Sequence, residues 1–173
     1  TGATGVTFAG DITANGDTNT FSSANATDPL LIIKNTTNDT DGARLRFVKD
    51  KGAAGADNDI AGQIEFFADD DNQDNILFAK ITAQVADASN GAEGGKISVA
   101  THDGEFQNGL ILADGDAEDE VDVTLGNGAA SVTTVSGTLT STGAITSNAG
   151  VVIDNITIDG TEIDLSSGDL TID

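Results

Sequence analysis

The sequence predicts an all-β protein in which short-strand repeats form an intertwined trimeric β-helix or β-prism shaft, interrupted by a β-sandwich-like knob domain. Three observations support this fold class. Ala, Val, Ile and Leu supply most of the apolar content, and 21 glycines accompany many Thr, Ser, Asn and Asp residues, a composition typical of short strands joined by turns. No long stretch has the 3.6-residue apolar period of an amphipathic helix. Aliphatic pairs also recur at a regular interval in residues 151–173.

Residues 151–173 carry this repeat most clearly. Their aliphatic pairs recur every seven residues and are Ile156 with Ile158, Ile163 with Leu165, and Leu170 with Ile172. Side chains two residues apart lie on one face of a strand, and the intervening Asp159-Gly160-Thr161 and Ser166-Ser167-Gly168 are typical turn sequences. Each unit has too few apolar side chains to bury itself, so we expect it to stack on other copies of the chain. Three chains around an axis, with the aliphatic pairs pointing inward, would form a thin rod.

Residues 1–28 are predicted to form an N-terminal shaft of the same kind. This segment is polar, with a few separated apolar residues. Residues 10–16 and residues 137–143 share one pattern: Gly, any residue, an aliphatic residue, Thr, two small or polar residues, and Gly. Chance similarity in a chain rich in Thr and Gly is the alternative interpretation. The predicted organisation is therefore an N-terminal shaft at 1–28, a knob at 29–128 and a C-terminal shaft at 129–173.

The predicted knob has the strand spacing of a compact β-sandwich. Its first predicted strand, residues 30–33, is a continuous apolar run and is expected to be buried. Residues 43–48 alternate, with Leu45 and Phe47 on one side. Further strands are predicted at 60–67, 76–85, 97–99, 110–112 and 121–125, with acidic turns at 69–75 and 114–122.

The charge of the chain limits the classes of partner. The formal net charge is −22, which argues against nucleic acid and against an anionic membrane surface. No apolar run is long enough to cross a bilayer, so we expect no membrane insertion. Every Lys and Arg lies between Lys34 and Lys96, so the positive charge belongs to the knob. Without cysteine there is no disulfide framework, and tight oligomerisation is an alternative source of stability.

Three stretches of this sequence resemble the shaft region of bacteriophage tail fibres, which are common in marine phages and often end in a self-cleaving chaperone domain. They are DPLLIIKN at residues 28–35, DIAGQIEF at 59–66 and GAEGGKISV at 91–99; residues 151–173 are similar to the repeats that continue such fibres. The resemblance implies a homotrimeric virion fibre that holds a receptor-binding tip away from the particle. Its implied partners are other tail components and, through a distal region, a host cell-surface receptor. No chaperone domain follows in this sequence, so we expect a shaft segment or an incomplete chain.

The sequence predicts no enzyme, and it identifies no catalytic, cofactor-binding or metal-binding residue. Phage fibres sometimes cleave host polysaccharide, and glycosidases use two carboxyl groups about 5–10 Å apart. Acidic residues are so frequent here that such pairs arise by chance, and the absence of Trp and Tyr removes the usual platforms for stacking sugars.

A bound calcium ion is the one cofactor that the sequence leaves open. Residues 69–74 and 114–120 supply many carboxylate and amide oxygens, which are the ligands that calcium prefers. Neither stretch fits the twelve-residue calcium loop, because the central Gly and the final Glu are misplaced. Residues 38–42 match only a fragment of that pattern. An acidic, hydrated turn is the alternative interpretation for all three.

The remaining candidates favour structural roles. His102 has no nucleophile at a defined spacing and is interpreted as a surface residue near a strand end. The glycine-rich residues 91–95 precede a predicted strand rather than a helix, so they indicate a turn and not a phosphate-binding loop. Phe66, Phe67 and Phe78 are predicted to pack in the core or between chains.

Two functional hypotheses stand beside the fibre shaft. The domain at 29–128 is alternatively a module that binds a host glycan or protein. The chain is alternatively a subunit of a cellular surface adhesin or filament, which would use the same rod architecture.

Overall fold

The structure, a computed structural model, describes residues 8–117 and 119–147. Within these residues the chain forms five strands and no helix, so the all-β prediction is confirmed. The strands are β1 (Ile60–Asp69), β2 (Asn75–Asp87), β3 (Gly94–Asp103), β4 (Glu105–Asp114) and β5 (Val121–Leu125). They form one open antiparallel sheet in the order β1-β2-β3-β4-β5. Each strand therefore pairs with its neighbours in the chain through a short connection.

The hairpins are closed by polar turns and by residues in the left-handed backbone conformation. Between β1 and β2, the backbone N–H of Asp70 donates to the carbonyl of Asp74 at 3.0 Å, and Gln73 has a φ of 66°. Between β3 and β4, Gly104 has a φ of 72° and is flanked by the paired residues Asp103 and Glu105. Glycine adopts this left-handed conformation at little cost, so β3 turns directly into β4.

The five strands predicted between residues 60 and 125 are present, and most are longer than predicted. The prediction ended β3 at residue 99 and began β4 at residue 110, whereas the hairpin continues to Asp103 and restarts at Glu105. The added residues are mainly polar, so no apolar alternation indicated a strand there. Their backbone pairing carries the hairpin beyond its apolar part.

Two predicted strands near the start of the knob are not formed. Residues 30–33 lie in no strand and are 46–73% exposed, so the prediction of a buried strand is wrong for the single chain. A strand that is apolar throughout needs a covering layer on both of its faces. The single sheet of the described residues provides no such layer for residues 30–33. Residues 43–48 are likewise not a strand.

The knob also lacks the second sheet of a sandwich. The described residues between 29 and 128 form one open sheet, with no sheet packed on it. Among the described residues, Ala100 is the one buried hydrophobic residue. Every described phenylalanine except Phe106 is exposed. A sheet normally buries its apolar face against another layer, and this layer is missing from the described part of the chain.

The chain divides into two units, Thr1–Ser131 and Val132–Asp173. The sheet belongs to the first unit. Residues 8–28 and 129–147, which were predicted as shaft repeats, form no strand in the single chain, and Phe8, Phe21, Leu139 and Ile145 within them are exposed. The aliphatic pairs predicted at 151–173 lie outside the described residues.

Candidate functional site: an uncovered apolar sheet face

The register of the sheet collects its aliphatic side chains on one surface. Residues that pair across antiparallel strands have their side chains on the same face. Two adjacent rows cross the sheet in this way. The first row is Ile64, Ile81, Val99, Leu110 and Leu125, and the second is Gly62, Ala83, Ile97, Leu112 and Val123. We call the surface formed by these two rows the apolar face.

No described residue forms a layer over the apolar face. Ile64, Ile97 and Val99 are about 40% exposed although they sit in the sheet. The face is most open at β5, where Val121, Val123 and Leu125 are 57–66% exposed. Contiguous exposed apolar surface of this kind marks an interaction site in soluble proteins, so the face is the candidate functional site.

The opposite surface, which we call the polar face, is suited to water. The Nε2 group of Gln63 donates to Thr82 Oγ1 at 3.2 Å, and Glu65 pairs across the strands with Lys80. The Lys80 ammonium lies 4.4 Å from the centre of the Phe106 ring, a distance at which a cation is attracted to the ring face. The buried Ala100 pairs with Lys80 and so lies on this face too. The polar side chains of the sheet are therefore concentrated on this face, which they share with Ile111, Ala100 and Phe106.

Phe47 reaches the apolar face at the β1 edge. A Cβ atom on Gly62 would lie 2.7 Å from the Cβ of Phe47 and 2.9 Å from its Cγ, closer than real Cβ contacts. Only glycine at position 62 lets the Phe47 ring approach β1 in this way. Phe47 remains 51% exposed, so it touches the rim of the face without covering it.

The acidic stretches use their carboxylates within their own turns. In the β1–β2 turn, Asp70 Oδ1 accepts backbone N–H groups from Asn72 and Asp74, each at 2.9 Å. In residues 38–42, Asp39 Oδ1 accepts the backbone N–H of Asp41 at 3.0 Å. Such bonds are typical of Asx turns. No group of three or more His, Cys, Asp or Glu residues within 8–117 and 119–147 has the arrangement of a metal site.

A carboxylate of the acidic segment between β4 and β5 also accepts a hydrogen bond from a backbone group of its own turn. Glu120 Oε2 accepts the backbone N–H of Ala117 at 3.1 Å. In the neighbouring β2–β3 connection, the backbone N–H of Gly91 donates to Glu93 and lowers the pKa of that carboxyl. Hydrogen bonds from Ser89 likewise lower the pKa of Asp87. These carboxylates stabilise turns as acceptors.

The other residues considered from sequence form no common site within the described part of the chain. His102 is exposed, one residue before the end of β3, and its ring meets Phe106 edge-on with centroids 5.4 Å apart. Phe66, Phe67 and Phe78 are 43–54% exposed, so they form no core within the chain, and their packing between chains stays a prediction. Gly91 has a φ of 86° in the turn that leads into β3.

Sequence reasoning missed that two aliphatic rows share one uncovered face of a single sheet. The signal was present, because in β2 and β3 the apolar residues share one parity from Ala79 to Val85 and from Ile97 to Val99. That parity predicts one apolar face per strand, but it does not say whether the covering layer comes from the same chain or from another copy.

Comparisons with protein-family models, with curated proteins and with solved structures found no match to this chain. The described residues contain no helix of sufficient length and apolar character for a membrane span.

Proposed function

We propose that this chain is a structural, non-enzymatic component of a bacteriophage tail fibre, a homotrimeric shaft that holds a receptor-binding tip away from the virion. The observation that carries the proposal is the uncovered apolar face of the five-stranded sheet. In this assignment the chain is extracellular, on the virion. Its partners are two further copies of itself, other tail components and, through a distal region, a host receptor.

Self-association supplies the layer that is missing from the described part of the chain. Three sheets arranged around an axis, with their apolar faces inward, form a prism whose polar faces contact water. This arrangement also suits the sequence repeats, since three short strands with paired aliphatic side chains can close around a narrow axis. The finer β-helix or β-prism architecture is part of this proposal.

The energetics favour the assembly. Burying the exposed part of one aliphatic side chain contributes roughly 1 kcal/mol, and the apolar face has eight Ile, Leu and Val side chains in each chain. Association costs about 4–15 kcal/mol in lost translational and rotational freedom. The resulting gain of roughly 8 kcal/mol per chain is comparable with that cost. Interlocked strands also resist bending, which is the mechanical property that a shaft requires.

Sedimentation of the full chain at micromolar concentration tests the proposal. We expect a stable trimer that resists sodium dodecyl sulfate or heat. Val99→Asp places a charge on the apolar face and should dissociate the trimer. Ser98→Asp places the same charge on the polar face of the same strand and should leave it intact. A stable monomer, or equal effects of the two substitutions, would contradict the assignment of the apolar face as the trimer interface.

A virion location needs a separate measurement, because a cellular filament would use the same trimer. Mass spectrometry of purified phage particles should detect this chain in a constant ratio to other tail proteins. Its recovery from cell-surface filaments instead would favour the adhesin hypothesis.

A further inference from the structure

Residues 30–33 have the properties of a strand that lacks a sheet. All four side chains are apolar and 46–73% exposed. Successive side chains of an extended chain point to opposite sides, so this run needs apolar contact on both sides. None of its backbone N–H or C=O groups has a hydrogen-bond partner in the described part of the chain.

β5 has the complementary deficiency. It pairs only with β4, so its outer edge offers unpaired backbone groups within the described residues. It is five residues long, close to the length of the run at 30–33. Its side chains on the apolar face are the most exposed in the sheet. Bare edges of this kind accept an added strand from another chain.

The segment that follows residues 30–33 and the segment that precedes β5 carry opposite charges. Residues 34–51, which we call the basic segment, contain five of the seven Lys and Arg residues and three acidic residues, a net charge of +2. Residues 114–122, which lead into β5, contain six acidic residues and no cation. Complementary charge favours the correct contact between surfaces and disfavours contact between identical patches.

The basic segment and β5 lie at opposite edges of the sheet within one chain. Phe47 contacts Gly62 in β1, and Lys51 pairs with Asp59 just before β1. The basic segment therefore enters the sheet at the β1 edge, and β5 is the opposite edge, about 19 Å away across four strand spacings. Contact between two different patches is heterologous, and it forms a closed ring when repeated around a threefold axis.

We propose that residues 30–33 of one copy add as a strand to the outer edge of β5 of the next copy, with the basic segment facing the acidic residues 114–122. This inference rests on the proposed trimer and names the contact that joins its subunits. Each sheet then gains a sixth strand, which pairs the β5 edge and places alternate side chains of the run on the apolar face.

Disulfide trapping tests the contact, because the chain has no native cysteine. The full chain would carry Leu31→Cys or Ile32→Cys together with Val123→Cys. Leu31 and Ile32 point to opposite sides of the run, so one of them lies on the same face as Val123. Mild oxidation should yield a ladder that ends at a covalent trimer on non-reducing denaturing gels. The matched control pairs the same positions with Thr82→Cys, which lies on the polar face of the inner strand β2, and should yield none.

The outcomes separate this inference from the proposed function. A trimer in sedimentation that gives no ladder with Val123, or an equal ladder with Thr82, overturns the strand addition and leaves the trimer standing. An intramolecular disulfide, seen as a monomer of altered mobility, also overturns it. A monomer in sedimentation removes the proposed function and this inference together.

Hydrogen exchange on the unmodified chain provides a second measurement that needs no variant. Amides of residues 30–33 and of β5 should both become protected, at least tenfold, as the protein concentration rises through the assembly range. Protection of the sheet interior without protection of residues 30–33 overturns the proposal.

Discussion

At the scale of single residues, Asp59 anchors the loop that precedes β1. Lys51 Nζ lies 2.7 Å from Asp59 Oδ2 and 3.0 Å from Oδ1, and the backbone N–H of Ala56 donates to Oδ2 at 2.9 Å. The backbone carbonyl of Asp59 accepts the N–H of Val85 in β2 at 2.9 Å. The Lys51 hydrogen bond, followed by that from Ala56, lowers the pKa of the Asp59 carboxyl below its ordinary value of 3.8.

Removing Lys51 should raise the pKa of Asp59. We expect Lys51→Ala to move it toward 3.8, with the Ala56 hydrogen bond keeping it below that value. Lys49 exerts only a weak Coulombic influence on Asp59, so Lys49→Ala is the control and should change little. Titration of the carboxyl carbon shift by NMR measures both. Equal shifts in the two variants would contradict the assignment of Lys51 as the main partner.

The sign of the pH dependence follows from the same shift. Because the pKa of Asp59 is lower in the folded chain than in the unfolded chain, its contribution to stability is complete above 3.8. The contribution is lost as the pH falls through the folded pKa. The Lys51 and Asp59 side chains are 33% and 24% exposed, so solvent still screens the pair and the effect is small and local to the loop.

At the scale of elements, the contact between Phe47 and Gly62 fixes the preceding segment to β1. Gly62→Ala should displace Phe47, since the new methyl group would lie 2.7 Å from its Cβ. Overpacking of this kind costs about 1–3 kcal/mol, and the exposure of Phe47 favours the lower end. Gly109→Ala in β4 is the matched control, because its Cβ would meet only the Val99 carbonyl oxygen at 4.0 Å.

Denaturant unfolding at one protein concentration measures the free energy of unfolding of both variants. Gly62→Ala should be less stable than Gly109→Ala, and the difference should shrink when Phe47→Gly removes the colliding ring. Equal stabilities would show that Phe47 does not dock on β1.

At the scale of the whole molecule, assembly brings together chains that each carry a formal charge of −22. Attraction between the basic segment and residues 114–122 involves a few charges, whereas the repulsion involves the total charge of each chain. Salt screens charges separated by more than about 8 Å at physiological ionic strength. The distributed repulsion is therefore relieved by salt more than the short-range attraction is weakened.

Salt should accordingly stabilise the trimer. Raising NaCl from roughly 20 mM to roughly 500 mM should raise the midpoint of thermal dissociation, followed by light scattering. The double variant Asp11→Asn, Asp17→Asn has less negative charge at exposed positions outside residues 114–122 and should show a smaller rise. A midpoint that falls with salt would mean that attraction between charges dominates the interface.

The sheet was predictable from local pattern. Alternation of polar and apolar residues identified β2 from 76 to 85 and β5 from 121 to 125, because side chains alternate faces along a strand whatever surrounds it. The acidic turn after β1 was also predictable, since Asp and Asn side chains stabilise turns by hydrogen bonds to nearby backbone N–H groups. The one-sided apolar face follows from the same alternation once the register aligns the strands.

The amino-acid sequence by itself determined the class of the protein, the position of its sheet, its acidic surface and its shortage of core-forming residues. Only the tertiary structure decided that the strands form one open sheet, that Phe47 meets Gly62, and that residues 30–33 find no cover within the described part of the chain. The physical reason is that alternation and turn chemistry are local, whereas burial depends on which distant surface covers a face. An apolar run has the same amino-acid sequence whether its covering layer comes from its own chain or from a neighbouring copy.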